Sequence, residues 1–175
     1  MNPVMEISKG RMENNFRILV VGIGNEFRGD DGVGLYIARK LKEKKLPNVE
    51  VVERSGEGTE LIDCWKEFAK VILVDAFCCS NTSPGTIYRC DAQMELLPKH
   101  FLPYSTHAFG VVEAIELAKT MNQLPPLVIY GVVGKNFGTG IGLSSEVKKA
   151  SQVVVERIFL ELERLLLSTS SLKKD

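Results

Sequence analysis

The chain is poor in histidine, with only His100 and His107, and it carries no excess charge. Lys and Arg number 22 and so do Asp and Glu, for a formal net charge of zero. A neutral chain offers no electrostatic basis for nucleic acid or a membrane surface as its main partner. No apolar run approaches the length that spans a bilayer. The opening stretch, MNPVMEISKGRMENNF, is polar and broken by Pro3 and Gly10, so it lacks the apolar core of a secretory signal. A cytoplasmic location is expected. The four cysteines, Cys64, Cys78, Cys79 and Cys90, have neither CxxC spacing nor the pattern of a disulfide framework, which fits reduced thiols. Zinc held by Cys78, Cys79, Cys90 and His100 is disfavoured because adjacent cysteines rarely share one ion comfortably. There is no GxSxG and no cysteine with an evident histidine partner, so no covalent nucleophile stands out. Repeats, low-complexity stretches and domain linkers are also missing.

What is present alternates. Arg17 to Gly22, Val49 to Glu53, Val71 to Ala76 and Leu127 to Val133 read as strands, mostly continuous apolar runs of the kind buried on both faces. Thr86 to Cys90 reads as a fifth strand; with no helix before it, it is expected to run antiparallel. Helices are expected over Val33 to Lys44, Thr59 to Phe68, His107 to Met121 and Ser144 to Leu167. Thr106 is the expected N-cap of the third. The last has Val147, Val154, Ile158, Leu162 and Leu165 on one face, a pattern for packing on a sheet. This order predicts one α/β domain over residues 17–167 with a largely parallel sheet and helices on both faces. Flexible tails are expected at 1–16 and 168–175.

Three segments carry candidate chemistry. Gly22-Ile23-Gly24-Asn25-Glu26-Phe27-Arg28-Gly29-Asp30-Asp31-Gly32-Val33-Gly34 links the first strand to the first helix, where a dinucleotide fingerprint would lie. Glu53, closing the second strand, holds the place of a ribose-binding acid. Phe27 replaces the third glycine of that fingerprint, however, and Asp30 and Asp31 would repel a pyrophosphate at the helix start. A nucleotide-binding module therefore remains the alternative reading. Capping explains one of the paired acids; Asp30 is expected to cap the first helix, leaving Asp31 free. Asp75 ends the run VILV at the carboxyl edge of a central strand, where open α/β sheets place their sites, although a hydrogen-bonded strand-end acid reads equally well. His107, in an expected first helical turn, would have its pKa lowered by the helix dipole and stay neutral, the metal-binding form. Two carboxylates and one imidazole can form a three-ligand site with open positions, suited to borderline metals such as nickel, zinc or iron without gripping them tightly.

The GxGNxxxxDDGxG of Gly22 to Gly34, the VDA of Val74 to Ala76 and the THxxG of Thr106 to Gly110 resemble, in order and spacing, the hydrogenase maturation proteases. Gly140-Ile141-Gly142-Leu143-Ser144 adds to the likeness, which runs from about Arg17 to Leu166. The resemblance implies a three-layer α/β/α sandwich around a five-stranded, mostly parallel sheet. It implies an endopeptidase, of the aspartyl type, that removes the C-terminal extension of a nickel–iron hydrogenase large-subunit precursor once nickel is in place. By motif, Asp31, Asp75 and His107 become both the catalytic and the metal-contacting residues. No tightly bound cofactor is expected, since the nickel arrives with the substrate, and a monomer is expected. Relatives often carry Asp-Gly-Gly after the second strand, where this chain has Glu53-Arg54-Ser55. Peptidyl-tRNA hydrolases share a GxGN start, but their histidine after that loop and their basic face have no counterpart here.

Overall fold

The structure, a computed structural model, describes residues 16–94 and 110–171, with side chains to 168. Five strands, β1 (Ile18–Ile23), β2 (Val49–Arg54), β3 (Lys70–Phe77), β4 (Ile87–Asp91) and β5 (Leu127–Val133), form one sheet in the order β2-β1-β3-β5-β4. β1 pairs in parallel with β2 and β3, and β3 with β5; only β4 runs antiparallel, against β5. The five expected strands and the antiparallel fourth are thus all present.

Helices α1 (Val33–Lys42) and α4 (Ser145–Ser171) cover one face, and α2 (Gly58–Trp65) and α3 (Val111–Thr120) the other. The strands sort their side chains by alternation. Val20, Ile72, Val74 and Val128 join Ile37, Val154 and Ile158 in the first core, while Leu19, Val21, Leu73 and Ile129 meet Trp65, Leu61 and Ile115 in the second. Burial on both faces is why β1 reads as an unbroken apolar run. The apolar face of α4 packs as its spacing predicts, with Val147, Val154, Ile158 and Leu162 buried and Leu165 partly so. That helix extends past Leu167 to Ser171, so the expected C-terminal tail is in part helical. α3 starts at Val111, with Gly110 extended before it and its N–H donating to the Glu113 carboxylate. The expected Thr106 cap lies outside the described residues, and the first turn foreseen at His107 belongs to Val111–Glu113.

The chain steps from β1 outward to β2 and then back across to β3, so β1 and β3 flank the topological switch point, where open α/β sheets leave a crevice at the carboxyl ends of their strands. Close approach of α1 to that crevice depends on glycine. A Cβ on Gly34 would stand 2.2 Å from the Ile23 carbonyl oxygen and 2.4 Å from that of Val74. Both obstacles are backbone and cannot yield as a flexible side chain would. Gly34→Ala is therefore expected to destabilise the fold by roughly 2–3 kcal/mol through overpacking, read as a lower urea midpoint at unchanged m-value.

Candidate active site

The loop after β1 turns through a short 3-10 segment, Gly29–Gly32, before entering α1. Asp30 and Asp31 both lie in it and have opposite fates. Asp30 is fully buried. Its Oδ2 accepts the backbone N–H groups of Lys135 (2.8 Å) and Asn136 (2.9 Å) and the Ser144 hydroxyl (2.9 Å). Its Oδ1 accepts the Ser144 N–H at 2.7 Å. Asp30 thus caps no part of α1, contrary to expectation. It organises the loop after β5 and fixes Ser144, the residue that leads into α4. Backbone bonds reinforce the join: Asp30 N–H to the Asn136 carbonyl (2.8 Å), Gly29 N–H to Gly140 (2.8 Å) and Gly140 N–H to Phe27 (2.9 Å).

Asp31 is only half-buried. Burial raises its pKa, opposed by the Arg28 charge and by a backbone hydrogen bond from Asn25. Asp75 sits near the end of β3, 5% exposed, on the face that also holds Leu73 and Phe77. Its Oδ1 accepts the Ala76 N–H at 2.8 Å, and its other oxygen has no protein partner among the described residues. Burial pushes the Asp75 pKa up to about 8, against that one hydrogen bond, and the neighbouring Asp31 charge raises it further. The structure therefore brings Asp31 and Asp75 together across the β1/β3 switch point, close enough for the Asp31 charge to raise the Asp75 pKa. At neutral pH Asp75 is therefore largely protonated. His107 and His100 lie outside the described residues. Among the described residues no group of three His, Cys, Asp or Glu side chains is placed to hold a metal ion. None of the four cysteines forms a disulfide among the described residues.

Glu53 is engaged elsewhere. Arg39 of α1 binds both its carboxylate oxygens, at 2.8–3.1 Å, and reaches Glu26 of the site loop at 2.9 Å. Its place at the end of β2 thus anchors the loop and leaves no ribose-binding acid. Sequence reading missed Arg28 and Asn25 as the groups that temper Asp31. Their position within the glycine-rich motif was the only signal.

Once this geometry is set beside known proteins, the class is defined. The model of the hydrogenase maturation protease family matches residues 35–161. A Methanocaldococcus jannaschii protein carrying a hydrogenase maturation protease name is 36% identical over 155 residues, covering 84% of this chain and 97% of that relative. The hydrogenase 2 maturation protease of Escherichia coli is 26% identical over 151 residues, covering 83% and 90%. Among solved structures, the [NiFe] hydrogenase maturation protease HycI from Thermococcus kodakarensis superposes with a TM-score of 0.63 at 25% identity, covering 82% of this chain and 90% of that one. The hydrogenase maturating endopeptidase HybD from E. coli, at 22% identity, shares the fold with a TM-score of 0.66 over 85% and 93%. The chain belongs to the hydrogenase maturation protease family, and it is an endopeptidase.

Two outcomes follow from the paired acids. Asp30→Ala leaves the backbone N–H groups of Lys135, Asn136 and Ser144 without their acceptor, and is expected to cost about 3 kcal/mol, with faster amide exchange at those three positions. For Asp75, the folded pKa of about 8 lies above its unfolded value, so the folded state holds the proton more tightly. The stability it contributes is complete below about pH 4 and is lost as pH rises through 8. Asp75→Asn should flatten that decline, seen by comparing urea midpoints of the two proteins at pH 5 and 8.5.

Proposed function

We propose that this endopeptidase removes the C-terminal extension of a nickel-loaded nickel–iron hydrogenase large-subunit precursor, with Asp31, Asp75 and His107 as the catalytic and metal-contacting residues. The observation that carries the reading is the pairing of Asp31 and Asp75 at the switch point, in a chain of this family. Two carboxylates and an imidazole complete the coordination of a nickel ion already held by substrate thiolates, but compete poorly for a free one. The nickel is thus part of the substrate, and the enzyme needs no tightly bound cofactor of its own. Contact with the ion displaces the proton from Asp75, because a ligand carboxylate must be ionised. Binding thereby creates the second charged carboxylate only when the loaded precursor is seated. With no nucleophile–base pair among the described residues, cleavage uses positioned water. A carboxylate serves as general base, or the substrate's metal polarises the scissile carbonyl. The protein acts as a monomer in the cytoplasm on this protein substrate, with neither nucleic acid nor membrane as partner. No helix among the described residues is long and apolar enough to cross a bilayer.

Intact-mass analysis of loaded and nickel-free precursors incubated with the enzyme tests the reading. The loaded form should lose a C-terminal fragment and the empty form should stay whole. Asp31→Asn, Asp75→Asn and His107→Ala should each slow cleavage by roughly a hundredfold or more without unfolding the protein. Equal trimming of the two precursors would remove the metal-anchor mechanism.

A further inference from the structure

The loop that carries Asp31 is held on two sides. Buried Asp30 ties its second half to the segment after β5. The first half, Gly24 to Glu26, is tied instead to the end of β2. Gly24 donates its N–H to the Arg54 carbonyl at 3.2 Å. Arg39 Nη1 donates to Glu26 Oε2 at 2.9 Å, while Nε and Nη2 of the same guanidinium bind the Glu53 carboxylate at 2.8–3.1 Å. One cation on α1 thus joins a strand end to the site loop.

That half of the loop touches Asp31 directly. The Asn25 backbone N–H donates to the Asp31 carboxylate. A Cβ on Gly24 would collide with the Asp31 carbonyl oxygen, and one on Gly32 would stand 3.1 Å from the Glu26 Cα. Gly24 and Glu26 therefore pack on Asp31 and Gly32, with Asn25 between them. Fixing the Glu26 side chain restricts the direction of the one backbone donor that the Asp31 carboxylate accepts. Arginine suits the task because its planar fork addresses two carboxylates at once, which a lysine ammonium does not reproduce. The side chains of Arg39, Glu26 and Glu53 are 47%, 43% and 38% exposed. Ion pairs this open to solvent add little to global stability, so the effect of the cluster is local.

We infer that Arg39 is a positioning residue for the cleavage reaction: it clamps Glu26 to Glu53, and so holds the Asn25 N–H and the Asp31 carboxylate in the orientation the reaction uses. The inference rests on the peptidase reading given above. Arg39 acts through the loop and not on the substrate. Its loss leaves Asp75 and His107 to hold the precursor's metal, but lets the Asp31 carboxylate swing away from the scissile bond. Small misplacements of a reacting group are costly in turnover, so the defect falls on kcat.

The test measures kcat, KM and melting temperature with a nickel-loaded precursor for wild type, Arg39→Met, Glu26→Ala, the double variant and Lys40→Met. Lys40 is the next residue of α1 and pairs with Glu43 at 2.9 Å, away from the site loop. Arg39→Met and Glu26→Ala should each lower kcat by roughly tenfold, with KM within about twofold of wild type. Their melting temperatures should stay at the wild-type value. The double variant should be no slower than Arg39→Met alone, because both side chains act along one path. Lys40→Met should match wild type. A normal kcat in either single variant overturns the clamp alone, as does a raised KM at unchanged kcat, which would make Arg39 a substrate contact. Failure of wild type to cleave any loaded precursor overturns the peptidase reading and the clamp with it.

Discussion

The carboxylate of Asp30 is the constraint on which the arrangement of the site depends. A buried acid is tolerated only where its charge is matched by donors. Here three backbone N–H groups and one hydroxyl converge on it from the loop after β5 and the entry to α4. Hydrogen bonds to a charged group contribute about 1.5–3 kcal/mol each, enough together to offset desolvation and lock two loops that are more than a hundred residues apart in sequence. Asp31 follows directly, so its placement is inherited from that lock. The buried acid positions its half-buried neighbour.

Around this anchor the sheet supplies the meeting point. β1 and β3 are neighbours from which the chain departs in opposite directions, and that reversal leaves room for Asp31 and Asp75 at their carboxyl ends. Glycine at position 34 lets α1 approach both strands without a side chain between. The two carboxylates then differ by environment. Asp31 is tempered by Arg28 and by the Asn25 backbone, whereas Asp75 is enclosed with one local hydrogen bond and holds its proton near neutral pH. A pair biased in this way is uncomfortable when doubly ionised, and a cation brought by the substrate relieves that repulsion. On the proposed reading, the same electrostatics make the site respond to a loaded substrate over an empty one.

Much of this was legible in the chain. Strand and helix order, the antiparallel β4, the buried face of α4 and the sheet-edge position of Asp75 all follow from local periodicity, because a strand buried on both faces or a helix packed on one must repeat its apolar residues at the matching interval. The glycine-rich motif marked the site loop, since its turns need conformations that few other residues adopt. The role of Asp30 was not legible. Beside a helix start, an acid reads as that helix's own cap, and its true partners are backbone amides near position 135, which have no residue signature. Glu53 was ambiguous for a similar reason, as its partner Arg39 reads locally as a favourable charge at the end of α1.

The sequence by itself determined the family, the order of the elements and the residues able to carry chemistry, because those depend on residue type and on spacing along the chain. Only the tertiary structure decided which of two adjacent acids is the buried strut and which borders the cleft. It also decided how the burial of Asp75 alters its proton affinity. Those properties depend on what surrounds a side chain in space, and neighbours from distant segments leave no periodic trace in the residues themselves.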